Sequence, residues 1–235
     1  MTKSFAAIFV VALLAAAPAL ARDPSFVPAD PSHGAQVLPS PPADGSDEQK
    51  AELAKLHEIE KTRTAAEVAQ AQWDAENEHI FLYKTVFGDK FTERNLPLTA
   101  AFGKRVANDE SVNAGPAKAF FHRVHPYTYD TTLNPVCKSK GRDDSYPSGH
   151  TTLGFLLGLT LIEMAPEKRD EILTRAEGYG RSRLICGVHY PSDVQAAKLL
   201  AYSVHAIMTQ NPQYRQELAA ATAEMRTALG LPEAK

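Results

Sequence analysis

The chain has 235 residues, 44% of them apolar and 23% charged, proportions ordinary for a globular protein with one sizeable core. A formal net charge of −3 creates no field that would draw in nucleic acid or an acidic membrane surface, and no basic stripe with interleaved aromatics occurs.

Met1-Thr2-Lys3, the apolar stretch Phe5 to Ala17 and the small-residue pattern Ala19-Leu20-Ala21 read as a secretory leader over residues 1–21, cut before Arg22. The expectation is an exported, periplasmic protein. A retained anchor is the rival reading, but the stretch is short for a bilayer and ends at Pro18. Residues 22–45, rich in Pro, Ser and Ala, predict an extended, poorly packed arm. Residues 46–235 then form a helical domain. Leu53, Leu56, Ile59, Val68 and Trp73 recur at helical spacing after Ser46, and a second copy of the chain could cover that amphipathic Ser46 to Glu78 segment.

Further helices are predicted over Leu98 to Ala107, Ala114 to Arg123, Thr151 to Met164, Glu167 to Tyr179, Asp193 to Met208 and Pro212 to Leu229. Pro166 and Gly178 to Gly180 punctuate them. No strand alternation competes, so the expectation is an all-α, single-domain helical bundle with its site on loops and helix ends. No second apolar run reaches the roughly 18 residues of a membrane span, which predicts no stable membrane insertion.

Three segments carry chemistry: Lys118 to Pro126, Pro147 to His150, and Ser182-Arg183 through His189 to Asp193. Ser148 and Gly149 precede an apolar run, so they should open a helix whose orphan N–H groups attract an anion. Gly149 lets backbone approach an oxyanion, and the Ser148 hydroxyl can donate to it. His150, at the rim of that site, can protonate a departing alkoxide. His189 can attack phosphorus when neutral, with Asp193 fixing its tautomer from four residues on. Arg183 offers a planar fork of donors to phosphate oxygens, and Lys118 a compact positive charge.

These blocks resemble the signature of the phosphatidic acid phosphatase type 2 superfamily, which includes the vanadium haloperoxidases, and within it the class A bacterial non-specific acid phosphatases. That signature reads Lys, six residues, Arg-Pro; Pro-Ser-Gly-His; then Ser-Arg, five residues, His, three residues, Asp. The second and third blocks fit without a gap. In the first, His125 stands where the family has its phosphate-binding arginine. Arg123 lies close in sequence, yet two residues along a helix point away from each other, so weaker phosphate binding or a steeper dependence on acidic pH is expected. The resemblance implies a metal-independent phosphatase without cofactor, in which His189 becomes phosphorylated and His150 acts as acid and then base. Asp193 would support His189, while Lys118, His125, Ser148, Gly149 and Arg183 hold the phosphoryl group. Broad hydrolysis of small-molecule phosphate monoesters follows, with mildly acidic working pH. A phosphate- or headgroup-binding protein weakened by His125, and a vanadate-dependent peroxidase, are the alternatives.

Taken singly, each residue has a plainer reading: Asp193 as a helix cap, Ser148-Gly149 as a turn, Arg183 and Lys118 as solvated charges. Their joint order and spacing favours the site. His33, His57, His79, His122 and His205 are read as ordinary structural or surface residues. Cys137 and Cys186, the only two cysteines, flank the second and third blocks and predict a disulfide in an oxidising compartment.

Overall fold

A computed structural model describes residues 23–30, 33–139 and 141–232, so the proposed leader over residues 1–21 lies outside the described residues. In chain order the helices are α1 (His33–Val37), α2 (Asp47–Thr62), α3 (Ala65–Glu76), α4 (Lys84–Phe87), α5 (Pro97–Phe121), α6 (Pro126–Tyr129), α7 (Gly149–Met164), α8 (Arg169–Ile185), α9 (Pro191–Met208) and α10 (Pro212–Leu229). Short 3-10 turns occupy Ile80–Tyr83 and Pro166–Lys168, and no strand occurs among the described residues. The all-α expectation holds. No described helix is long and apolar enough to cross a membrane.

The core is organised around α7. Nearly every residue from Thr151 to Leu161 is buried, because α5, α8, α9 and α10 surround it. Such an element must be apolar all round, unlike a surface helix with one greasy stripe. Close approach is possible because α7 carries Gly154 and Gly158. A Cβ there would lie 2.7 Å from Tyr179 Cδ1 and 2.5 Å from the Tyr83 hydroxyl. Tyr83 uses the space to donate to the Gly154 carbonyl at 2.6 Å.

Helix α2 begins at Ser46, whose hydroxyl accepts from Gln49 N, and α3 begins with a reciprocal cap between Thr64 and Glu67. Between them Arg63 reaches across to the carbonyls of Ile185 and Asn134, at 2.7 and 2.8 Å. Leu56, Ile59 and Ala71 pack inside this chain beside Ile185, Leu133 and Tyr190. Most of the apolar face of the Ser46 to Glu78 segment is thus covered by its own domain, with Trp73 left exposed.

Three sequence expectations are corrected. Predicted helices over Leu98 to Ala107 and Ala114 to Arg123 are one continuous α5, which ends at Phe121 before His122 in the left-handed region at φ 49°. Pro116 forfeits one helical hydrogen bond, but the buried Val106, Val112, Asn113 and Ala117 hold the helix through it. Likewise α8 runs through Gly178 and Gly180 to Ile185. Gly180 serves packing there, since a Cβ would meet Thr151 Cγ2 at 3.1 Å and Val194 Cγ1 at 3.3 Å.

The third correction concerns the arm. Phe26, Val27 and Leu38 are buried, and α1 lies within the stretch expected to be loose. Phe26 packs edge-on to Tyr214 and Phe102 under the Arg105 guanidinium. The buried Asp109 carboxylate on α5 accepts from Ser25, Phe26 and Val27 N–H at 2.6, 2.8 and 2.9 Å. Composition registers the lack of helix formers, not a distant carboxylate able to bind extended backbone. Replacing Asp109 with Ala strands these donors and is expected to lower the unfolding free energy by about 3 kcal/mol, read as an earlier urea midpoint.

Candidate active site

The ends of α3, α5, α7 and α8, with the turn before α9, converge on a cavity of about 600 Å³. Lys118, His125, Gly149, His150, Arg183 and His189 all line it, so the three sequence blocks meet in space. Ala75, Glu76 and Glu78 close one side and Lys138, Ser139, Gly141 and Asp144 another. The blocks are tied through backbone as well, because Ser148 N–H donates to the Asp193 carbonyl at 3.2 Å.

The turn carrying His189 starts at Gly187, whose φ of 73° ends α8 in the left-handed conformation that glycine tolerates. His189 is buried, with Nδ1 3.3 Å from Asp193 Oδ2. A carboxylate only accepts, so Nδ1 carries the proton and Nε2 keeps its lone pair. Asp193 is itself saturated. Ser145 Oγ donates to Oδ2 at 2.5 Å, Tyr190 N–H to Oδ2 at 2.9 Å and Arg123 Nη1 to Oδ1 at 2.6 Å. Its bond to Tyr190 N–H belongs to a capping box at the start of α9, in which Tyr190 is the N-cap and Asp193 the third helical residue, so Asp193 caps the helix and contacts His189 at once.

Electrostatics keep His189 neutral. Burial, and then the charges of Arg183, Lys118, His125 and His150, push its pKa well below the ordinary 6.5. Burial pushes the Asp193 carboxyl up, opposed by the Arg123 guanidinium and the donors from Ser145 and Tyr190. Burial also draws the Lys118 ammonium down, against Asp144, Glu110 and Asp193.

Arg183 is buried on α8, with Nη1 3.8 Å from Cys186 Sγ and no acceptor for Nε among the described residues. Lys118 Nζ donates to the Asp144 carbonyl. Gly149 opens α7 where a Cβ would sit 2.9 Å from Glu110 Oε1. His150 Nε2 lies 2.7 Å from Glu78 Oε1 and 3.1 Å from the Ala75 carbonyl.

Ser148 departs from expectation. Its hydroxyl is fully buried as the α7 cap, accepting from Thr151 N–H at 3.4 Å and from the Thr151 hydroxyl at 3.0 Å, and it does not line the cavity. His125 does line it, stacked on Tyr127 with its ring centre 5.1 Å from that of His189. Arg123 does not replace the missing arginine. Its guanidinium lies over the Tyr190 ring and binds Glu52, Ser192 and Asp193 behind the site.

Cys137 and Cys186 form the expected disulfide, with Cα atoms 5.1 Å apart, joining the cavity wall to the turn before His189. None of His57, His79, His122 and His205 lines the cavity, and His57 and His205 pair with Asp130 and Glu163, while the His33 side chain lies outside the described residues. Sequence reasoning missed Ser145, Glu52, Glu78 and Asp144, and weighed Arg123 only as a phosphate ligand. Ser145 alone had a signal, three residues before Ser148 in the second block.

Residues 101–217 match the model of the PAP2 superfamily. The chain is 31% identical over 199 residues to an acid phosphatase of Zymomonas mobilis, covering 81% of this chain and 75% of that protein. It is 30% identical over 193 residues to a non-specific acid phosphatase of Providencia stuartii, covering 77% and 76%. A non-specific acid phosphatase of Salmonella typhimurium is 32% identical over 148 residues, covering 61% and 59%.

Arg123→Ala leaves the buried Asp193 and the adjacent Glu52 without their cation and is expected to cost about 3–5 kcal/mol in denaturant titrations. Stability should also depend on His189. The unfolded chain binds its proton near pH 6.5, the folded chain only well below that. Stability therefore falls as pH drops beneath about 6.5, at up to about 1.4 kcal/mol per pH unit from this group. His189→Gln should show a shallower fall across the same window.

Proposed function

This chain belongs to the PAP2 superfamily, and we propose that it is a periplasmic acid phosphatase hydrolysing phosphate monoesters of broad structure through a phosphohistidine on His189. The observation that carries this reading is the His189–Asp193 pair, a neutral imidazole with its lone pair fixed on Nε2 in a cavity lined by cations.

In the scheme, Lys118, Arg183, His125 and the N–H groups opening α7 hold the phosphoryl oxygens. Arg183 Nε, without an acceptor among the described residues, supplies one ready donor. Nε2 of His189 attacks phosphorus as the ester P–O bond breaks, and His150 passes its proton to the departing oxygen. The alcohol leaves neutral. His150 then takes a proton from water as that water attacks phosphorus. The P–N bond breaks, and inorganic phosphate and neutral His189 are regenerated.

Positive charge for the transition state comes from the side chains, and the scheme uses no metal. Ser148 acts in it through backbone and cap. Export to the periplasm rests on the leader pattern of residues 1–21, and the Cys137–Cys186 bridge supports an oxidising compartment.

Turnover of an aryl phosphate should fall at least about 10³-fold in His189→Ala and survive EDTA in the wild type. Quenching at alkaline pH with labelled substrate should leave label on residue 189. Because protonation removes the nucleophile and the His189 pKa is depressed, the acid limb of kcat/KM should lie below 6.5. Full turnover in His189→Ala would sink the scheme.

A further inference from the structure

His125 is boxed between two acceptors. Its Nδ1 lies 2.6 Å from the Val188 carbonyl and its Nε2 lies 3.0 Å from Asp144 Oδ1. A neutral imidazole has a single N–H, so one ring nitrogen would set a lone pair against an oxygen lone pair. Only a ring protonated on both nitrogens satisfies both contacts while Asp144 is ionised. The imidazole is almost fully buried, so water does not relieve the mismatch.

From this geometry we propose that Asp144 is a positioning residue that keeps His125 as an imidazolium, making it a third cation of the phosphoryl site beside Lys118 and Arg183. The inference rests on the reading of this cavity as a phosphate site. Without Asp144 the surroundings oppose a charge on His125. Lys118 from α5 and Arg183 from α8 line the same cavity, His189 packs beside its ring and Tyr127 stacks on it; of the other carboxylates, Glu76 and Glu78 line the cavity from the end of α3 and just beyond it, with Glu78 on His150, and Asp193 is engaged by Arg123. Burial alone would push the Asp144 carboxyl up, yet Lys118 and the bond from His125 outweigh it and hold it below 3.8. Asp144 therefore stays an anion at mildly acidic pH.

Asp144 is half-exposed on the cavity wall, and His125 is fixed from behind by Val188. An arriving phosphate oxygen can take over the Nε2–H from Asp144, one anion replacing another, with no proton transferred and no change of charge on the ring. When inorganic phosphate departs, Asp144 reclaims the donor.

The test uses the full chain, ¹⁵N-histidine NMR and competitive inhibition by inorganic phosphate. In the wild type at neutral pH, His125, assigned by its disappearance in His125→Arg, should show two protonated ring nitrogens. In Asp144→Asn it should show one. The ratio of phosphate inhibition constants, Asp144→Asn over wild type, should rise about tenfold between pH 5 and pH 7.5 as the unsupported ring loses its charge. That rise should vanish when the same substitution is made in His125→Arg, whose guanidinium needs no partner to stay charged. A wild-type ring carrying one proton, or a ratio flat with pH, overturns the proposal while leaving phosphatase turnover intact. Absence of both turnover and phosphate inhibition in the wild type instead defeats the phosphatase reading, and the NMR result then still decides the state of the pair.

Discussion

The buried carboxylate of Asp193 is the constraint from which the rest of the site follows. It accepts from the His189 ring, the Ser145 hydroxyl, the Tyr190 N–H and the Arg123 guanidinium. A carboxylate without water is expensive unless its lone pairs are filled, and here four donors from three stretches of chain fill them. Each donor fixes something else in turn. The Tyr190 bond starts α9, the Arg123 bond pins the chain just beyond α5, and the Ser145 bond positions the residues that lead into α7. Catalytic geometry and folding geometry are therefore one arrangement.

A second ionic cluster sets the opposite side. Asp74 on α3 accepts from Arg175, Ser182 and Gln70, binding α3 to α8 one residue from Arg183. Arg183 itself is left out of that cluster. Its Nε, like that of Arg123 behind the site, has no partner among the described residues, but Arg183 lines the cavity and Arg123 does not. Neutral His189 completes the pattern, since cations that would bind a phosphoryl group also drive the proton off its ring.

Much of this was legible in the chain itself. Periodicity marked the principal helices and the order of blocks marked Lys118, His150, Arg183, His189 and Asp193, because ligand-facing residues must recur at spacings set by helix ends. The failures share a cause. Gly178 and Gly180 read locally as breakers but lie inside α8, where the packing of Gly180 against α7 and α9 decides. The arm read as loose because Asp109, more than 80 residues away, is invisible to a local window. Arg123 was weighed as a phosphate ligand, whereas its partners Glu52 and Asp193 are about 70 residues distant on either side. Ser148 was given a hydroxyl contact to phosphate, whereas its buried hydroxyl caps α7 and accepts from Thr151.

The central helix α7 is enclosed on every side, while the wall formed by residues 138, 139 and 141–143, beside Asp144, contains no buried residue. This divides the protein into a part that natural variation can alter only at great cost and a part it can rewrite freely. Reacting atoms are held by the first, and whatever is attached to them brushes against the second. New preferences among alcohol portions can thus arise by exchanging a few residues of the wall, with the bond-breaking apparatus inherited unchanged.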